Sequence, residues 1–367
     1  MRTYADLGVR PFINAAGTIT KYGGSRMPPE VLSAMAQAAG AFVDLDALHE
    51  RAGAALAARI GVPAAFVSCG AASGIQLAAA ACLTGTDRCA VARLPETDGR
   101  PNEFVISRVD PHTYIHQGIM SVGGRLVTAG DERSVTPEQM VAAIGPRTAG
   151  VVFFLGQQPP EHLPPVIEGA RAAGVPVIVD AAAQLPPRAN LTRWVALGAE
   201  FVVFSGGKGI RGPQASGLVL GPEERVAAVR ANANPHFAIG RSMKVGKEEI
   251  MGLVAAVDLF MARDEAEELA SWRQQGEVIR AAVAGLPGVR ASIVATEPPA
   301  APAIVPRAYV RLEEGAVLGE RELVAALQAG DPPIVPRPTS LGVMFDPMTM
   351  EPGEEEIVAR RLRELLA

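Results

Sequence analysis

The sequence predicts an α/β fold with a mostly parallel central sheet and a smaller α+β C-terminal domain. Three observations carry that reading. Short apolar runs alternate with helical patterns from about residue 64 to residue 221, a rhythm that calls for βαβ units with both faces of the sheet covered. Hydrophobic residues make up 49% of the 367 but aromatics only 5%, so the core is mostly Ala, Val, Leu and Ile. Past residue 245 the alternation gives way to longer helical patterns with few strands. The length suits one large domain or two moderate ones.

Taken in order, residues 1–30 form an N-terminal segment. Its opening, "MRTYADLGVRPFINAAG", carries charges and a proline where a secretory leader needs an unbroken apolar run. "AAFVSCG" reads as a strand ending at Gly70, and "ASGIQLAAAACLTG" as a buried helix closed by Gly85. "RCAVARL", "EFVIS", "RLVTAG", "AGVVFFLG", "VPVIVDAAA" and "EFVVFSGG" are strand candidates, rich in β-branched or aromatic residues. Between them lie helical stretches such as Thr136 to Ile144 and Val166 to Ala173, the second stopped by Gly174. These elements make up a large domain over 31–245. A long amphipathic helix, Lys247 to Ala284, then acts as a connector. A Pro-rich stretch (Pro298 to Pro306), the strand "AYVRL", a helix Gly319 to Ala329 and a last helix opened by Pro352 complete a small C-terminal domain within 246–367.

A net charge of −5 argues against a polyanionic partner such as nucleic acid. Cys69, Cys82 and Cys89 form no C-x-x-C pair, which points away from disulfides and zinc and toward a reduced, cytoplasmic setting. No run of 18 apolar residues predicts a membrane span.

The chemistry concentrates where apolar runs stop. "FVVFSGGKGIRGPQASGLVLG" ends a strand at Ser205 and sets Lys208 among glycines. Its G-x-G-x-x-G match is not a dinucleotide fingerprint, because Pro213 and a further strand follow where a helix must open. Asp180 closes "VPVIVD", the carboxyl end of a strand, where parallel sheets put their ligands. About one βαβ unit separates Asp180 from Lys208, so both can emerge at one sheet edge. Pyridoxal 5'-phosphate (PLP) needs this pair: a lysine for the Schiff base and an acid holding the pyridinium nitrogen protonated. "SCGAASG" supplies a phosphate cradle, a strand end followed by small residues that open a helix. In "DPHTYIHQG", Asp110 reads as an N-cap and Pro111 as the first helical residue, setting His112 and His116 on one face. Two such histidines are too few for a metal site. His49, His162 and His236 read as surface or packing residues.

"INAAGTITKYGGSRMPPEV", "CGAASGIQLAAAACLTG", "VIVDAAAQLPP" and "FSGGKGIRGPQASGLVLG" resemble the selenocysteine-synthase-like (SelA-like) branch of fold-type I PLP enzymes, and "PPIVPRPTSLGVMFDPMTMEPGEEE" is similar to its closing motif. That branch includes L-seryl-tRNA selenium transferases and D-glucosaminate-6-phosphate ammonia-lyases, and the character here is closer to the lyases. The resemblance implies the aspartate aminotransferase-like fold, PLP as cofactor, and a homodimer or larger homo-oligomer with shared sites. By position it makes Lys208 the Schiff-base lysine and Asp180 the ring-nitrogen partner. Gly70, Ala71, Ala72 and Ser73 line the phosphate cradle, with Ser205 nearby. His112 stacks on the ring, with His116 as the alternative, and Arg337 anchors a substrate carboxylate. Asn14, Thr18 and Thr20 belong to an N-terminal cover over the site, and Arg211 serves the phosphate or a partner subunit. The Gly-rich stretch Gly206 to Gly212 reads as exposed, awaiting that partner.

The expected reaction is α,β-elimination of a small β-hydroxy amino acid to a 2-keto acid and ammonia. A second proton donor would instead give a racemase or epimerase. Selenium transfer is disfavoured because "INAAGT" begins at residue 13, with no tRNA-binding domain before it. A non-catalytic PLP-binding role is disfavoured because Lys208, Asp180 and Arg337 are all present.

Overall fold

A computed structural model describes residues 2–295 and 304–367; the Pro-rich stretch expected at 298–306 therefore lies mostly outside the described residues. Two compact units divide between Arg263 and Asp264. The larger is 26–263; the smaller joins 2–25 to the described residues from Asp264 onward.

Twelve strands are described: β1 (Ile13–Ala15), β2 (Ala64–Ser68), β3 (Glu103–Ser107), β4 (Arg125–Ala129), β5 (Thr148–Phe154), β6 (Val177–Asp180), β7 (Phe201–Ser205), β8 (Gly217–Gly221), β9 (Val289–Val294), β10 (Arg307–Leu312), β11 (Ile334–Thr339) and β12 (Gly342–Phe345). In the larger unit β2-β8-β7-β6-β5-β3-β4 form a seven-stranded sheet. Every neighbouring pair is parallel except those made by β8, which runs against β2 and β7. Six carboxyl ends therefore share one edge. The apolar runs have no polar face because both sides are covered: Val151 and Phe153 of β5 enter one core cluster, Val152 and Phe154 the other. Each such side chain contributes about 1.5–3 kcal/mol of burial, so shifting the register of a central strand would be costly.

Three elements differ from the sequence expectation. "RCAVARL" is a helix, Arg88–Arg93, because Asp87 accepts the N–H groups of Cys89 and Ala90 and starts a turn. The connector is two helices, Lys247–Ala262 and Glu265–Ala282. Arg263 is extended between them, and Asp264 caps the second helix by accepting the Ala266 and Glu267 N–H groups. The helix at 110–121 begins later than expected, at Thr113, with His112 at its cap.

In the smaller unit a five-stranded sheet, β1-β11-β12-β10-β9, packs three helices through Ile279, Leu323, Val358 and Leu362. β1 lies parallel to β11, pairing Asn14 with Val335. This joins the N-terminal motif to the C-terminal one.

Candidate functional site

The carboxyl edge of the large sheet gathers the predicted residues of that unit. Asp180 is the last residue of β6, in register with Phe154 of β5 and Val203 of β7. Its Oδ1 accepts the Ala182 N–H at 2.9 Å, and among the described residues no donor reaches Oδ2. Burial pushes this carboxyl up, opposed by the Ala182 N–H and by the charges of Lys208 and His112.

Lys208 stands three residues past β7 in a turn closed by Gly206 N–H to Ser216 O (2.9 Å), Gly212 N–H to Gly206 O (2.8 Å) and Arg211 N–H to Lys208 O (2.9 Å). The glycines around it are steric necessities. A Cβ on Gly206 would collide with Ser216 Oγ, one on Gly207 would lie 2.6 Å from Gln214 Cα, and one on Gly209 2.6 Å from Leu185 O. All of Gly206, Gly207, Gly209 and Gly212 are buried within their own chain. The expectation of an exposed stretch is therefore corrected: a tight turn folds back on β8 and covers them. The Lys208 amine makes no hydrogen bond and no ion pair among the described residues. Burial holds its pKa below the usual lysine value, partly offset by Asp180.

The helix Gly70–Thr84 begins directly after β2. Gly70, Ala71, Ala72 and Ser73 are its first residues; the N–H groups of Gly70, Ala71 and Ala72 have no helical carbonyl one turn back and are open to an anion, while the Ser73 N–H closes the first turn on Cys69. Gly70 has φ +82°, and an added Cβ there would meet nothing within 4 Å. Ser205 and Ser68 both pair with Gly217, placing the end of β7 and the start of this helix on one row of the sheet. Gly217 must lack a side chain, because a Cβ would lie 2.5 Å from the Gly70 carbonyl carbon. Sequence reasoning passed over Gly217; its signal was a lone glycine opening a strand, where close backbone approach is the usual cause.

His112 and His116 come together differently from expectation. Asp110 does not cap a helix starting at Pro111. Its Oδ2 accepts the His112 N–H at 3.2 Å, and its Oδ1 lies 2.5 Å from His112 Nδ1. His116 Nε2 is 3.0 Å from Oδ2 but not aligned as a hydrogen bond. The His112 imidazole is raised above its usual value by Asp110 first, against burial, with Asp180 adding to the rise and Lys208 opposing it. His116 also stands edge-on to Phe154, 6.1 Å between ring centres. His49, by contrast, is a packing residue, buried and stacked on Phe66 at 4.8 Å.

The remaining predicted residues belong to the smaller unit. Arg337 is exposed on β11, opposite Met344, and makes no ion pair among the described residues. Asn14 is committed to its own turn: Nδ2 donates to Gly17 O at 3.1 Å, and Oδ1 accepts the Ala16 N–H at 3.0 Å. Thr18 is half-buried, and Thr20 opens a short 3-10 helix.

A buried-edge carboxylate with a free oxygen, an unpaired amine of lowered basicity and an open helix N-terminus are the donor set that PLP requires. They fit it.

No family model matches the chain. It is 34% identical to a D-glucosaminate-6-phosphate ammonia lyase of Salmonella typhimurium over 99% of this chain and 97% of that one. A 5'-C-glycyluridine monooxygenase-decarboxylase of a Streptomyces species is also 34% identical, over 99% and 92%. An L-seryl-tRNA(Sec) selenium transferase of Moorella thermoacetica is 25% identical over 98% and 82%. The solved structure of a D-glucosaminate-6-phosphate ammonia-lyase matches with a TM-score of 0.83 and 32% identity, covering 100% of this chain and 98% of that one.

Proposed function

Because this chain belongs to the selenocysteine-synthase-like branch of fold-type I PLP enzymes, together with the D-glucosaminate-6-phosphate ammonia-lyases, we propose that it removes ammonia from a small β-hydroxy amino acid. The product is a 2-keto acid. The observation that carries the reading is the unpaired Lys208 amine, set at the same sheet edge as Asp180 and the open helix N-terminus.

Bound PLP supplies an electron sink for the pair left when the substrate Cα–H bond breaks. Lys208 would hold the cofactor at rest and, once displaced by the substrate amine, take the Cα proton. Its depressed basicity leaves more of the amine neutral and ready to do so. Asp180 would keep a proton on the ring nitrogen through its free oxygen. The N–H groups of Gly70 to Ala72, with the Ser73 and Ser205 side chains beside them, would hold the phosphate. His112 would cover the ring, and Arg337 would bind the substrate carboxylate. Residues 1–30, with Asn14, Thr18 and Thr20, would close over the site. As the proton leaves Cα, the β-hydroxyl departs as water. One water is taken up as ammonia is released, so the net loss is ammonia alone.

We assign the chain to a homo-oligomer acting on a small molecule. No helix among the described residues is long and apolar enough to cross a membrane.

The test is a panel of D- and L-β-hydroxy amino acids, with and without a phosphate group, assayed for keto acid and ammonia. Release of both in equal amounts is expected; carbon dioxide release without ammonia would overturn the lyase reading in favour of the second named chemistry among its relatives. Borohydride should fix PLP on Lys208. Peptide mapping that found it on Lys21, Lys244 or Lys247 would remove Lys208 from its role.

A further inference from the structure

The turn that follows β3 is built around one carboxylate. Ser107 Oγ accepts the Val109 N–H at 3.1 Å, and the Arg108 N–H reaches Ala129 O at 3.1 Å. The chain then brings Asp110 beneath the first turn of the helix Thr113–Ser121. The Asp110 side chain has no exposed surface, and two imidazoles lie against it. An ionised carboxylate buried without partners costs several kcal/mol. Here the His112 ring and backbone N–H both bond it, and His116 Nε2 lies 3.0 Å from Oδ2. The 2.5 Å contact uses His112 Nδ1, which leaves Nε2 as that ring's one remaining position for a proton.

We propose that Asp110 is a positioning residue of this site: it grips His112 through Nδ1, while His116 braces the other carboxylate oxygen. Asp110 thereby sets the tautomer and the angle of the His112 ring beside Asp180 and Lys208. This rests on the role given to His112 above. An Asx turn alone would need only the His112 N–H bond. The two imidazole contacts, one on each oxygen, are what that turn leaves unexplained. Four groups act on His112: Asp110, Asp180 and Lys208 by charge, and Tyr114 edge-on at 5.6 Å. Asp110 has the largest effect.

Asp110→Asn keeps the volume and one acceptor oxygen but removes the charge. In the holoenzyme, NMR of the ring should show the His112 pKa falling. The kcat should drop about tenfold or more with little change in KM, and the limb of the kcat–pH profile that follows His112 should move the same way. In a His112→Phe background, which keeps a ring over the site, Asp110→Asn should change kcat by less than about twofold. Equal losses in both backgrounds would make Asp110 structural and overturn the proposal. Wild-type turnover in His112→Phe would sink the role of His112 and any catalytic part for Asp110; the NMR shift, still present, would tell this apart from a missing clamp. Should Asp110→Asn not fold, the wild-type ring decides alone: titration below the ordinary 6.5 overturns the grip.

Discussion

Asp180 illustrates how one residue can cost stability and still be required. Its folded pKa is raised, so the stability it contributes is fully present below the ordinary carboxylate value of 3.8 and lost as pH rises through the folded value. Ionising this carboxylate within the fold is therefore a burden. Asp180→Asn removes that burden, keeps an acceptor for the Ala182 N–H, and nearly preserves volume. The thermal midpoint should hold or rise, while turnover falls by orders of magnitude because the ring nitrogen loses its anionic partner. Losing Asp180 also removes the attraction that holds the Lys208 pKa up, so the amine should become less basic still and remain able to bond PLP. One preparation suffices: measure the midpoint, the cofactor's visible absorbance and the steady-state rate. Collapse of all three together would mean that Asp180 is structural; an unchanged rate would place the acid partner elsewhere.

At the scale of elements, much was legible from sequence because central parallel strands are unbroken apolar runs that end sharply. Asp180 and Lys208 stand just past two such ends, which is why their shared edge could be read without coordinates. The short helix Arg88–Arg93 was hidden by its own composition, since alternating small apolar residues mimic a strand and only the Asp87 cap decides otherwise. The break at Arg263 had a readable signal, an aspartate followed by three glutamates in the first helical turn, but an apolar face that runs on past the break masked it. Asp110 was read as an N-cap because spacing alone does not reveal side-chain contacts. Gly217 carries only a weak sequence signal, because which backbone approaches it is visible only in three dimensions. Gly217→Ala should press on the Gly70 carbonyl and shift the helix N-terminus, costing about 1–3 kcal/mol of overpacking and weakening PLP affinity. Gly70→Ala has open space around it and bears only the strain of φ +82°, about 1–2 kcal/mol. Thermal melts and PLP titrations of the two variants separate these causes. Unchanged PLP affinity in Gly217→Ala would break the link between that contact and the cradle.

For the whole molecule, the glycines around Lys208 give no sign of a second copy, since the chain buries them by itself. Apolar side chains left in solvent do. Phe42 and Phe237 are fully exposed, and Leu32 and Val43 are about half exposed, all within the larger unit. Asp46 and His236 stand 3.3 Å apart, so the two phenylalanines leave the surface from neighbouring segments. A monomer gains nothing by displaying them together, whereas an interface of about 1,600 Å² would be well served by two aromatic anchors. Light scattering of the wild-type protein should report a dimer or a larger assembly. The double variant Phe42→Ser with Phe237→Ser should shift to monomer at working dilution and lose turnover. Its circular dichroism should not change, because fully exposed rings contribute little to the chain that carries them. A wild-type monomer of full activity would refute the oligomer outright. A double variant that stays assembled would move the interface to another face of the protein.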